Sequence, residues 1–472
     1  MVFPVSIKLH VSSITVMTTL LLSGCSMAPA YQRPEASVPL SWSYTDTSAV
    51  GTGKPVSAGP FFKDSKLQQL IKLTIDNNKD LELSALNLKK SGVQYGVERL
   101  AWLPAVSLTA QKTAAHEPAG IFDTIDTGSV TYHQYDVKLV SASWEVDFWG
   151  RLQSLREASL NEYLARGASS RALKISLIEH VVSAYLIYIA DQENISIARQ
   201  KLDNVLQLRR MQRQAFAAGD MTKDAVMDAD SAVSDAQTEL NQTELQAQQD
   251  LNSLQLLVGT PLPGSLLNVS PDHDWAFPSV KPGIPSDVLL KRPDIIAAEY
   301  QLKAANASIG AARAAFFPSI SITAEGGSST ADMGKLLSAG TANWSFVPTI
   351  NLPIFDGGKN QANLSLAELN KKVEIVNYQK AIQQAFRDTS DALAGQASLR
   401  KQTIKISGNY ETVREQYRMA EATRNAGQIS NAALLQKNNE LLAARKQDID
   451  ARLKYLIQGV KVFTVLGGDE SI

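Results

Sequence analysis

The sequence predicts a mixed α and β membrane protein, in which each chain adds four strands to a barrel and continues it with long helical hairpins. Three observations predict this. The chain is written twice, each copy carries a pair of alternating strand segments, and each copy ends in a long stretch almost free of proline and dense in Ala, Leu, Gln, Glu, Lys and Arg.

The totals exclude several classes. With 46 basic against 47 acidic residues in 472, nucleic acid is not the main partner, because phosphate binding needs a basic excess. The five histidines have no metal-ligand spacing. Gly51-Thr52-Gly53-Lys54 is not a phosphate loop: its spacing is wrong, Pro55 blocks a following helix, and no strand precedes it. No nucleophile-and-base set appears, so no enzyme and no cofactor are expected.

The N-terminus reads as a targeting segment. Lys8 and His10 precede an apolar run, Val11 to Leu22, which leads into Leu22-Ser23-Gly24-Cys25. This is a secretory signal over 1–24 ending in a lipobox, with Cys25 as the lipidated first residue of the mature chain. Ser26, not Asp, follows it, as suits outer-membrane sorting. Residues 25–60, rich in Pro, Ser and Thr, read as a lipid-anchored extended tether.

Repeat 1 spans 61–270 and repeat 2 spans 271–472. Ala101-Trp-Leu-Pro-Ala-Val-Ser-Leu-Thr-Ala110 returns as Ala315-Phe-Phe-Pro-Ser-Ile-Ser-Ile-Thr-Ala324. Phe148-Trp149-Gly150 is answered by Phe355-Asp356-Gly357, Ala218-Gly219 by Ala426-Gly427, and Leu257-Val258-Gly259 by Val465-Leu466-Gly467. Four matches in one order mark a duplicated unit.

Each unit opens with a helix, Ser65 to Ala101 and Ser286 to Ala315, stopped by Pro104 or Pro318. Strand pairs follow, at about 104–148 and 318–355. Val106, Leu108 and Ala110 alternate with polar residues, as do Ile320, Ile322 and Ala324; Trp344, Phe346, Pro348, Ile350 and Leu352 share one face. The phase slips near Leu139-Val140, the mark of a bulge. Loops are expected from Ala115 to Val130 and from Ser328 to Ala342.

The remainder of each unit, Arg151 to Gly259 and Gly358 to Gly467, is a helical hairpin with limbs of roughly sixty and forty residues. Ala225, Ala229, Ala232, Ala236, Leu240, Thr243, Ala247, Leu251 and Leu254 form the seam of one limb. Gly219 and Gly427 turn the chain, and Thr222 and Ser430 cap the returning helices. The mature chain has no apolar run long enough to span a bilayer as a helix; Ile175 to Ala190 is interrupted by Glu179 and His180. Four strands cannot close, and an open edge in lipid is prohibitive, so the chain must oligomerise. Two copies give a filled eight-stranded barrel, and three give twelve strands with a lumen.

Specific motifs then add a resemblance. Ile284-Pro-Ser-Asp-Val-Leu-Leu-Lys-Arg-Pro-Asp294, the run from Ala304 to Ile320, and Asn351-Leu-Pro-Ile-Phe-Asp-Gly-Gly358 resemble the signature of the outer-membrane factors of tripartite efflux pumps. Tyr31-Gln-Arg-Pro34 after the lipobox, and Trp144-Glu-Val-Asp-Phe-Trp-Gly-Arg-Leu152, are similar to the OprM-like lipoprotein branch of the TolC family. The resemblance implies a homotrimer with a twelve-stranded barrel and a periplasmic α-helical barrel in the outer membrane of a Gram-negative bacterium. It also implies a periplasmic adaptor and an inner-membrane pump, usually of the resistance–nodulation–division (RND) type. The same architecture serves as an exit duct for type I polypeptide secretion. A periplasmic adaptor, also lipidated and helix-rich, would lack paired barrel strands and the duplication.

The resemblance implies a periplasmic constriction with aspartates just after the second turn, but here Ala433 and Gln436 occupy those places. Acidic residues follow the first turn instead, as Asp224, Asp228 and Asp230. Asp224 and Asp228 share a helix face. A ring of them is a candidate cation-selective gate together with Gln436, and ion pairing with Lys223 or Arg213 is the alternative. Gly219, Thr222, Gly427 and Ser430 are the expected adaptor-docking tips.

Overall fold

A computed structural model of the chain describes residues 26–35, 38–39, 57–118, 129–268, 277 and 289–468. Cys25 and the signal segment expected over residues 1–24 lie outside the described residues. Along the chain come helices α1 (Ala58–Phe61), α2 (Ser65–Asn77) and α3 (Lys79–Leu100), strands β1 (Ser107–Glu117) and β2 (Val130–Val146), and helices α4 (Arg151–Ala217), α5 (Lys223–Val258) and α6 (Gly264–Leu267). Then follow α7 (Pro293–Ala314), β3 (Ser319–Thr330), a 3-10 turn, β4 (Ala342–Asn351), α8 (Lys359–Asn425) and α9 (Asn431–Val465).

Two compact units form, each from three segments: 1–34, 88–166 and 298–378 in the first, and 35–87, 167–297 and 379–472 in the second. Each draws on both halves of the sequence, so the division at 270/271 separates similar sequences and not packed bodies.

In the first unit the four strands make one antiparallel sheet in the order β1-β2-β3-β4. Leu139 stands opposite Leu108 and Gly326, Gly326 opposite Trp344, and Ala324 opposite Phe346, all on one face. That face is apolar and open: Trp344 is 81% exposed and Ile350 69%. The other face carries a bonded polar set. Gln134 Nε2 donates to Asp136 and to Ser329 Oγ, Ser329 Oγ donates to Asp136, and Lys138 reaches Glu325 at 3.3 Å. The expected phase slip is real but lies between Ser141 and Trp144, where Ser143 takes φ 51°. The extra residue moves the apolar face from odd to even positions, so that Trp144 stays beside Ile322 and Val146 beside Ile320. The strands also reach further into the expected loops, to Glu117 and Thr330.

The second unit packs α1 and α2 against the stretch of α4 from Ile175 to Ile189 and the ends of α5 and α9. Phe61, Phe62, Leu67, Leu70, Ile71, Val181, Val182, Tyr185, Leu254, Leu266 and Phe463 are buried together. Phe61 and Phe463 lie 5.0 Å apart, and Tyr185 donates to the Leu266 carbonyl at 2.7 Å. This core explains the apolar stretch of α4. An 18-residue window there reaches a mean hydropathy of 1.5, more apolar than Glu179 and His180 suggested, and half of it is buried.

Two helices differ from expectation. The first breaks at Asn78, whose ψ of 129° takes it out of the helix. Its Nδ2 donates to the Leu257 carbonyl and its Oδ1 caps the Leu81 amide, so a tertiary contact is made at the cost of one helical turn. Of the helix expected from Ser286, residues 286–288 lie outside the described residues, Leu289 is helical, the chain turns at 290–292, and α7 starts at Pro293, where the missing amide is harmless.

Candidate functional site

The hairpins fold as their turn chemistry dictates. Their limbs hold 67 and 36 residues in the first half, and 67 and 35 in the second. At the first tip Gly219 has φ 86°, and the Asp220 amide donates back to the Ala215 carbonyl at 2.9 Å. At the second, Gly427 has φ 76°, and the Gln428 amide donates to the Thr423 carbonyl at 3.0 Å. Thr222 Oγ1 accepts from the Ala225 amide and Ser430 Oγ from the Ala433 amide, at 3.3 and 3.1 Å. These are one turn used twice. Gly219, Thr222, Gly427 and Ser430 are all exposed.

The tip carboxylates divide. Asp230 is held by Arg213 at 2.8 Å and lies 3.8 Å from Arg209. Asp224 and Asp228 are exposed and form no ion pair among the described residues, so the pairing alternative applies to Asp230 alone. Gln436 is exposed too. On α5 the buried seam is Ala229, Ala236, Leu240, Ala247, Leu254 and Val258; Ala232, placed in it by periodicity, is exposed. The buried set advances in steps of seven and four, the spacing of a coiled-coil face.

Between the hairpins run polar stitches that the sequence did not disclose. Asn204 Nδ2 donates to Asn439 Oδ1 at 2.8 Å, and Asn438 Nδ2 to Asn204 Oδ1 at 3.3 Å. Glu239 is shared by Lys201 at 2.6 Å and Lys446 at 3.5 Å, and Arg445 lies 3.6 Å from Glu193. Partners so remote in the chain leave no local pattern to read.

The motifs that carry the resemblance form corners where strands hand over to helices. Asp356 accepts from the Gly358 and Asn360 amides at 2.9 and 2.7 Å and caps α8. Asp147 accepts from the Gln153 amide at 2.8 Å and does the same for α4. Trp149 stacks on Phe317 and donates to the Pro318 carbonyl at 2.8 Å. Arg292 holds Asp294 at 2.7 Å and donates to the Val465 carbonyl at 2.9 Å, tying down the end of α9. Among the described residues no group of His, Cys, Asp or Glu is suited to a metal.

Comparison with known proteins agrees with this geometry. The family model described as outer membrane efflux protein matches residues 70–260 and 284–468. The probable efflux pump outer membrane protein TtgC of Pseudomonas putida is 37% identical over 457 residues, covering 96% of this chain and 94% of its own. A crystallised membrane protein from Pseudomonas aeruginosa superposes with a TM-score of 0.84 at 35% identity, over 94% of this chain and 98% of that one. The open state of the Neisseria gonorrhoeae MtrE outer membrane channel gives 0.83 at 31% identity, over 95% and 99%. The family is one of transport components and not of enzymes. The chain belongs to the outer membrane efflux protein family and is an outer-membrane channel protein of an efflux system.

Proposed function

We propose that three copies of this chain, each a duplicated unit, close a twelve-stranded barrel continuous with a periplasmic helical barrel. The trimer is a passive conduit for small molecules, opened at its periplasmic tip. The observation that carries the reading is the four-stranded sheet, with an open apolar face and with β1 and β4 unpaired on their outer edges among the described residues. In lipid such edges must pair, and the alternation of strand direction lets β4 of one copy meet β1 of the next antiparallel. Twelve strands leave a lumen, whereas eight are filled by side chains.

The helices flanking those two edges support the same closure. Val93, Val97 and Leu100 lead into β1, and Leu366, Leu369, Val373 and Val376 follow β4; all are exposed, at spacings of three and four that make one stripe on each helix. When β4 meets β1, these stripes face each other. Cys25 would carry lipid, the tips at Gly219, Thr222, Gly427 and Ser430 would dock a periplasmic adaptor, and an inner-membrane pump of the RND type would drive export.

The test uses cysteine pairs, Leu100→Cys with Leu366→Cys and Val93→Cys with Val373→Cys, treated with a short bismaleimide in outer-membrane vesicles. The expected product is a ladder of two and three linked chains and none longer, together with a heat-sensitive trimer band for the unmodified protein. A ladder that stops at two, or passes three, overturns the trimer. For the tips, adaptor crosslinks are expected from Thr222 and Ser430; crosslinks from 115–130 alone contradict the docking assignment.

A further inference from the structure

The tether predicted over residues 25–60 is not free where it is described. Glu299, Lys303, Asn306 and Gly310 fall at spacings of four, three and four on α7, hence on one face, and residues 28–33 lie along it. Arg33 is bidentate on Glu299, with Nη2 to Oε2 at 2.9 Å and Nε to Oε1 at 3.2 Å. Tyr31 donates its hydroxyl to the same carboxylate at 3.4 Å. Lys303 completes the site, 3.0 Å from Glu299 and 5.2 Å over the Tyr31 ring. Two turns further on, Asn306 Nδ2 donates to the Pro29 carbonyl at 2.8 Å.

Gly310 shows how close the approach is. A Cβ there would stand 2.5 Å from Ser154 Oγ on α4, 2.7 Å from the Ala28 amide nitrogen and 2.9 Å from the Ala28 Cβ, so glycine admits both the neighbouring helix and the segment. Pro34 holds Arg33 extended, which suits a strand-like run along a helix. Glu299 is itself buried, 7% exposed, and carries its charge only because two cations and a hydroxyl meet it.

We propose that this face of α7 is a docking site for the chain's own N-terminal segment. Tyr31 and Arg33 of the Tyr31-Gln-Arg-Pro34 motif are its clasp, so the folded protein, and not the lipid alone, fixes the anchored end.

Chymotrypsin cleavage after Tyr31 tests this, because a protease needs the segment lifted off the helix. The full chain is digested in outer-membrane vesicles, and cleavage after Tyr31 is timed against the trimer band. The unmodified protein should be slow, and Cys25→Ser equally slow, since lipid is not what holds the strap. Arg33→Ala, which leaves the body untouched, should cut about tenfold faster, as expected for loss of a charge-assisted pair. Glu299→Gln should accelerate cleavage similarly while keeping the trimer band. Fast cleavage in Cys25→Ser, or an unchanged rate in Arg33→Ala, overturns the proposal, and neither result depends on how many copies assemble.

Discussion

Asp191 is the residue whose environment departs most from what its place in the chain suggests. It lies on α4, and its Oδ2 is buried without a hydrogen-bond partner. Burial first, then the carboxylates of Asp250 and Asp450, push it up to about 7. An acid raised in the folded state binds its proton more tightly there than when unfolded. Its contribution to stability is therefore fully present below the unfolded pKa, near 3.8, and is lost as pH rises through about 7. Asp191→Asn should match the unmodified protein near pH 3 and unfold at a higher temperature than it at pH 8. Thermal melts at the two pH values decide it, and equal differences at both would count against the assignment. Glu299 runs the other way. Burial raises it, but hydrogen bonds from Lys303 and Arg33 outweigh that and leave it below the usual range. Neither residue is marked in the sequence, because Asp250 and Asp450 beside Asp191, and Arg33 beside Glu299, come from remote parts of the chain; only Lys303 is a near neighbour, four residues on.

At the scale of elements, sequence logic held where a feature depends on near neighbours. Both hairpins, both tip turns and both capping hydroxyls follow from a glycine, a hydroxyl three residues on, and long proline-free runs. It failed at Asn78, where nothing nearby signals a break and the Leu257 carbonyl supplies the reason. The glycines separate the two cases quantitatively. Gly219 at φ 86° has nothing within 4 Å of a built Cβ, so Gly219→Ala meets only the left-handed penalty, about 1 kcal/mol. Gly259 at φ 80° would set its Cβ 2.5 Å from the Asn77 carbonyl oxygen, so Gly259→Ala should cost at least about 3 kcal/mol. Denaturant or thermal unfolding of the two variants checks the ranking, and equal losses would refute it. Sequence marks Gly219 as a turn glycine and Gly259 only as the end of a repeated segment; the packing shows how differently the two are held.

For the whole molecule, the apolar face and open edges of the sheet make sense in an assembly, and the tips are where conduction would be controlled. Asp224 and Asp228, exposed and in no ion pair among the described residues, are the carboxylates proposed for a ring at the tip, while Asp230 is already engaged by Arg213. If a ring of them faces the lumen, Asp224→Asn with Asp228→Asn will reduce cation preference in planar-bilayer recordings. Unchanged selectivity would remove them from the gate. Repetition, alternation, helix-forming runs and turn glycines are properties of residues close in the chain, and they carried the strand pairs, the hairpins and the need for partners directly from the order of amino acids. The exact place of the bulge that keeps Trp144 on the apolar face, the stitches at Asn204 and Glu239, and the clasp between Arg33 and Glu299 were settled by folding alone. Each joins residues far apart in the sequence, and their energies exist only once packing brings the groups together and excludes water from between them.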